Sequence, residues 1–220
     1  MSKRSQMPRT TPRRILRLME YHIYNIPLFV IGESPEVKLP DFCAEVEETI
    51  PQRLLCNVDV VYVGDLRELN GRNATYANGA IYMTNKEPTT EDMLENFIHE
   101  VAHSLEHNFA SEIYTDDLIR EFKGKRSRLF HILKSHGYDV SPIAFGFTEY
   151  NMNFDKFLSD TVGYPTLLTL TMGLFASPYA ATSIQEYFAN GFEKYFLDDP
   201  RRLNTVSPIL HDKIEGVVNV

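Results

Sequence analysis

At 220 residues, 43% hydrophobic and 24% charged, the chain suits one large soluble domain or two small ones and can build a core without disulfide staples. Cys43 and Cys56 are its two cysteines and form no CxxC pattern, which points to neither a disulfide framework nor a cysteine zinc site, although that one pair could still close. The net charge of −8 is uneven: residues 1–19 hold Lys3, Arg4, Arg9, Arg13, Arg14 and Arg17 and no acid, giving +6, while the remainder has 16 basic against 30 acidic residues, giving −14.

That asymmetry reads as a basic arm (1–19) on a folded body (20–220). The arm suits nucleic acid, an anionic surface or an acidic patch on a partner protein, and equally a solvated flexible terminus. Pro8, Pro12 and the arginines interrupt everything before Ile15, leaving no apolar core for a secretory signal. The expected location is therefore the cytoplasm or the inside of a larger particle. No run of about 20 apolar residues is present. The nearest, 164–181, is broken by threonines, Pro165, Gly173 and Pro178, and reads as core or cleft wall.

The body opens with an apolar, β-branched segment, 24–31, closed by Gly32 and Pro35 and expected as a buried strand. A helix is expected over 41–55, bent or split by Pro51, and a second strand over 58–63. Strand, helix, strand implies a mixed sheet. Residues 67–78 are polar and turn-rich, and Asn78-Gly79 leads into a short strand, 80–84. Ala80, Ile81 and Tyr82 would either lie on a sheet edge able to pair with an extended peptide or form an ordinary paired strand.

Next comes a helix with clear start signals. Pro88, Thr89 and Thr90 break what precedes, Thr89 with Asp92 approximates a capping box, and Glu91 and Asp92 are acids in the first turn. Met93, Phe97, Ile98, Val101, Ala102 and Leu105 supply its apolar face. Within it lies His99-Glu100-Val101-Ala102-His103, an HExxH signature. On a helix, residues four apart lie about 40° apart around the axis and about 6 Å apart along it, so His99 and His103 can share one ion. Glu100, about 100° from His99, can hold a carboxylate over a water at the metal without ligating it. The competing reading is a core helix with scattered surface histidines.

A second helix is expected over 115–136, with a basic cluster at Lys123–Arg128 and Gly137 as its stop. Residues 139–164 read as irregular and aromatic, forming cleft walls, a lid or core.

HExxH supplies two ligands, and a catalytic zinc site needs a third. His107 and Glu106 are too far along a straight helix, His107 lying about 12 Å from His99. His107 is then a polar group beside the site or a surface residue. The metzincin continuation would need Gly at 106 and His at 109, where this chain has Glu106 and Phe109. The better source is the helical pattern over 183–196, where Glu186 is either the third ligand on a helix packed against HExxH or the acid of a capping box with Ser183.

Taken together, His99 to His107, Tyr179, and the segment Glu186-Tyr187-Phe188-Ala189-Asn190-Gly191-Phe192, with a seven-residue step from Tyr179 to Glu186, resemble the anthrax-lethal-factor-like zinc peptidases, a group that includes the secreted Pro-Pro endopeptidases. The resemblance is confined to 80–110 and 176–198. It implies an α+β, zincin-like fold of gluzincin type. A small mixed sheet with an edge strand would lie over the HExxH helix, and a mostly helical second half would carry the third ligand. It also implies a bound Zn²⁺ held by His99, His103 and Glu186, Glu100 as general base, Tyr179 as oxyanion donor, and a substrate-aligning strand at 80–84. The chain departs from the family at Asn190, where members commonly carry an acid; an amide oxygen can still accept from a zinc-bound histidine, but more weakly. It departs also in lacking the secretion signal of typical members.

The expected function is a zinc endopeptidase acting on protein or peptide by water attack. The alternative is a zincin-fold structural or accessory subunit of a larger assembly such as a virus particle, docked through the basic arm, with or without activity.

Overall fold

A computed structural model describes residues 19–220. The expected basic arm lies outside the described residues except for Met19, which opens a strand. Strands β1 (Met19–Ile23) and β2 (Ile26–Ile31) form an antiparallel hairpin with Ile23 opposite Ile26, so the segment 24–31 begins with a turn rather than a strand. Tyr24 takes that corner at φ +55°, a conformation a bulky residue keeps only when its surroundings hold it. Its hydroxyl proton is shared between the carbonyls of Glu47 at 2.7 Å and Ile50 at 3.0 Å, which fastens the hairpin to the end of helix α1 (Leu39–Thr49).

Pro51 splits the helix expected over 41–55. Ile50, preceding a proline, is extended, and Pro51 starts a separate 3₁₀ turn, Gln52–Leu55. Strand β3 (Val60–Gly64) then lies parallel to β2, with α1 as the crossover. A second hairpin follows, β4 (Ala74–Ala77) and β5 (Ala80–Met83), turned by Asn78 and Gly79 at φ +50° and +82°.

The strand order is β1-β2-β3-β5-β4, and β5 is paired on both sides, parallel to β3 and antiparallel to β4. Ala80, Ile81 and Tyr82 are therefore interior, which is the paired-strand alternative and not the sheet edge. The edge on this side of the sheet is β4, within the stretch expected to be turn, because the Asn-Gly turn closes a hairpin and needs a strand on each side.

One sheet face buries Leu28, Val30, Val61, Val63, Ile81 and Met83. Over it lie α1 and helix α2 (Thr90–Ile113), joined by the edge-to-face pair Phe42 and Phe97 at 5.7 Å. The start of α2 is as its sequence predicts: Thr89 Oγ1 accepts from the Asp92 amide at 3.0 Å. Met93, Phe97, Ile98, Val101, Ala102 and Leu105 are fully buried, each large side chain contributing about 1.5–3 kcal/mol relative to exposure.

The second half is helical: α3 (Asp116–Ser135), the short α4 (Pro142–Gly146), α5 (Met152–Lys156) and α6 (Tyr164–Leu170), then α7 (Ile184–Leu197), α8 (Pro200–Val206) and α9 (Pro208–Val218). Two members of the basic cluster on α3 point inward. Lys125 Nζ donates to the carbonyls of Leu174 and Val206, both at 2.6 Å. Arg126, 1% exposed, donates to the carbonyls of Ala181, Thr182 and Ala144, with its guanidinium 4.0 Å from the Phe154 ring centre. Burial pushes Lys125 down to about 8 and Arg126 to about 10. Through the Ala144 carbonyl and the Phe154 ring Arg126 pins the segment expected to be irregular onto α3, and the other carbonyls that these cations satisfy are ones that short helices and turns leave open.

α7 packs on α2 and on α9. At Gly191 the approach is close enough that a β-carbon would meet Leu210 Cδ2 at 2.4 Å and Ile214 Cδ1 at 3.3 Å. Both neighbours are fully buried. Gly191→Ala is expected to destabilise the fold by about 1–3 kcal/mol despite its better helix propensity. Urea denaturation checks this, and an unchanged midpoint would mean that α7 and α9 pack less tightly. Cys43 is buried, Cys56 is exposed, and both are free thiols. Among the described residues no helix is long and apolar enough to cross a membrane.

Candidate metal centre and its cleft

The centre forms where α2 and α7 cross. Ser183 caps α7 by accepting from the Glu186 amide at 3.1 Å. The Glu186 carboxylate does not return to the Ser183 amide as a full capping box would. It faces α2 instead, with Oε2 3.0 Å from His99 Nε2 and Oε1 3.8 Å from His103 Nε2. The cap and the carboxylate thus use different atoms of one residue, so the two readings of Glu186 are compatible. One donor atom from each of His99, His103 and Glu186 lies within 4.8 Å of the others.

The outer imidazole nitrogens each face a further carboxylate. His103 Nδ1 is 2.8 Å from Glu106 Oε1, and His99 Nδ1 is 3.6 Å from Glu193 Oε2. Carboxylates in these positions fix ring orientation and leave both Nε2 atoms turned toward a common point. Glu193 is itself paired with Lys194 Nζ at 3.0 Å.

Charge in the centre is strongly coupled. Burial disfavours a charged His99, but hydrogen bonding to Glu186 and Glu193 and their charge prevail and raise it to about 10. Burial alone would raise Glu186 and Glu193. For both, the His99 hydrogen bond leads the opposing effects and holds the carboxyl below its usual range. Without an ion, His99 is therefore imidazolium at neutral pH.

Glu100 stands apart from this cluster. It is 9% exposed and its Oε2 accepts from the Tyr76 amide at 2.7 Å, which ties α2 to the edge strand β4. Both line a cavity of about 530 Å³ that also takes in His99, His103, Glu186 and Tyr179. Tyr179 comes from a 3₁₀ turn, Tyr179–Ala181, whose last carbonyl is one of those held by Arg126. Burial, then the charges of Glu186 and Asp155, hold the Tyr179 hydroxyl above the usual tyrosine range, so it is a proton donor throughout neutral pH.

Five expected residues fall elsewhere or act otherwise. His107 is exposed and outside the cavity lining, since eight residues beyond His99 it is turned about 80° around the helix. The strand residues Ala80, Ile81 and Tyr82 do not line the cavity; Ala74, Thr75 and Tyr76 of β4 do. Asn190 lines it without touching a histidine. Its Nδ2 donates back to the Glu186 carbonyl at 2.8 Å and its Oδ1 accepts from Ser177 Oγ, which braces the Tyr179 turn against α7.

The carboxylate at His99 is Glu193, which sequence reasoning missed although a seven-residue step from Glu186 is only about 20° short of two full turns. Glu106, considered only as a ligand, lies within reach of His103 by its three-residue spacing. No family model, no curated protein and no solved structure matches the chain.

Proposed function

We propose that the chain is a zinc-dependent endopeptidase of zincin type. The observation that carries this reading is the convergence of His99, His103 and Glu186, one donor atom from each, while the neighbouring Glu100 stands apart and is held by the Tyr76 amide. Two imidazoles and one carboxylate form a donor set that suits zinc and leaves a position for water and substrate. Zinc held by His99, His103 and Glu186 supplies Lewis acidity toward a water and the scissile carbonyl.

The remaining work falls to the chain itself. Glu100 uses one carboxylate oxygen for the Tyr76 amide, and its other oxygen is free to take a proton from water and pass it to the leaving amine. Tyr179 donates to the oxyanion that develops on the carbonyl. In an antiparallel edge strand every second residue turns its amide and carbonyl outward. Tyr76 does so, since its amide meets Glu100, and Ala74 shares that edge and is free to pair with an extended peptide. The accessory-subunit reading rests on residues 1–19, nearly all outside the described residues, and no feature of the described fold favours it.

Metal analysis of the purified protein coupled to a peptide-library cleavage assay tests the proposal. About one zinc per chain and metal-dependent cleavage are expected, and absence of zinc after reconstitution at neutral pH overturns it. The coupling at His99 adds a pH signature. Below about 10 the metal-free His99 is charged, and a ligand must be neutral, so zinc uptake at pH 8 displaces a proton. Affinity is expected to rise about tenfold per pH unit up to that value for a one-proton exchange. Calorimetry in two buffers of different ionisation enthalpy counts the proton, and uptake with no release at pH 8 contradicts the His99 assignment.

A further inference from the structure

Arg72 lines the same cavity as the candidate centre, at the entrance to edge strand β4. It is exposed, and among the described residues no carboxylate lies within 4 Å of it. Of the acidic side chains in the lining, Glu186 faces His99 and His103, Glu193 and Glu95 face Lys194 at 3.0 and 3.9 Å, and Glu100 accepts from the Tyr76 amide. Among the described residues Arg72 is therefore the cation of the lining that no carboxylate pairs within 4 Å, whereas His99 faces Glu186 at 3.0 Å.

Its backbone is held on both sides. Asn70 and Gly71 turn the chain at φ +47° and +84°, the Arg72 amide donates to the Leu69 carbonyl at 2.9 Å, and the Asn73 carbonyl accepts from Thr84 at 2.7 Å. The backbone thus sets Arg72 at the start of β4, where it lines the cavity, and its charge acts on groups of the opposite wall. Burial raises Tyr179, and Arg72 is the positive charge opposing it. At Tyr150 the hydrogen bond to Asp155 raises the hydroxyl to about 12, and Arg72 opposes that as well. A guanidinium fork matches a carboxylate through two parallel hydrogen bonds, which a point charge such as lysine does not provide.

We infer that Arg72 forms a carboxylate-binding subsite, so that the peptide lying along β4 carries an acidic group there, either an Asp or Glu side chain or a free C-terminal carboxylate. This deepens the peptidase reading and rests on it for the placement of the peptide.

The test is a binding selection that does not require turnover. Zinc-loaded Glu100→Gln protein is immobilised and exposed to a random decapeptide library in two forms, C-terminally amidated and free. At low salt, enrichment of about 5- to 20-fold is expected for Asp or Glu at one position in the amidated arm, or for free over amidated ends, and the arm that responds identifies the source of the carboxylate. Arg72→Gln in the same background abolishes the preference, and Arg72→Glu turns it toward Lys and Arg. Arg72 is exposed and makes no side-chain hydrogen bond among the described residues, so both variants should fold, which thermal denaturation verifies. Equal retention of acidic and neutral peptides, no retention at all, or a preference that survives Arg72→Gln overturns the subsite. Peptides retained in an Arg72-dependent way yet never cut by the zinc-loaded native protein would instead count against the peptidase reading. Cleavage with no acidic preference would do the reverse.

Discussion

Replacing Glu100 with Gln is expected to slow peptide hydrolysis about 100-fold to 10,000-fold while zinc content and fold stay unchanged. The geometry makes this a clean substitution. Glu100 lies outside the converging donors, so the ligand set is intact. The carboxylate oxygen that accepts from the Tyr76 amide at 2.7 Å can be replaced by the Gln carbonyl oxygen, which accepts the same bond and keeps α2 tied to β4. What the amide cannot do is take up a proton. Equal cleavage by the variant and the native chain would remove the base from the mechanism even with zinc bound. Tyr179→Phe offers a graded comparison, since loss of one oxyanion donor costs about 100-fold to 1,000-fold and falls on the chemical step rather than on binding.

The sequence already speaks for the part of the site that local rules govern. The HExxH helix, its Thr89 cap and the Ser183 cap of α7 depend on residues three or four apart, and they form where those patterns lie. What escapes is non-local. β4 is four residues long, with one residue buried, so its hydrophobic signal is weak; only the Asn78-Gly79 turn betrays it. Lys125 and Arg126 read as surface charge until α3 meets carbonyls about 20 to 80 residues away in the chain. Helices α8 and α9, which Pro200 and Pro208 open, lie beyond the last helical pattern read from the sequence, 183–196. That α9 fixes the position of α7 through Gly191 and Leu210 is a matter of packing. Tertiary packing likewise decides the role of Asn190. It lies one turn from Glu186 and returns to that residue's own carbonyl, whereas Glu193, nearly two turns on, reaches the histidine where the helices cross.

The double role of Glu186 gives the second large effect. Glu186→Ala removes the carboxylate facing both Nε2 atoms but keeps the amide that Ser183 Oγ accepts from, and alanine is well tolerated in a first helical turn. Zinc affinity is therefore expected to fall by more than about 100-fold, beyond the 10- to 100-fold typical of losing an outer carboxylate, which is the loss expected of Glu193→Gln. Ser183→Ala should do the opposite: about 1 kcal/mol of stability is lost with the cap, and zinc stays bound. Competition with a chelator of known affinity reads the metal, and urea denaturation of the metal-free proteins reads the cap. If Ser183→Ala were the variant that released zinc and Glu186→Ala held it, the carboxylate would be a helix-start residue that happens to face two histidines, and the ion would have to find its third ligand elsewhere. Glu193 would be the first alternative, because it is the other carboxylate of α7 that faces His99.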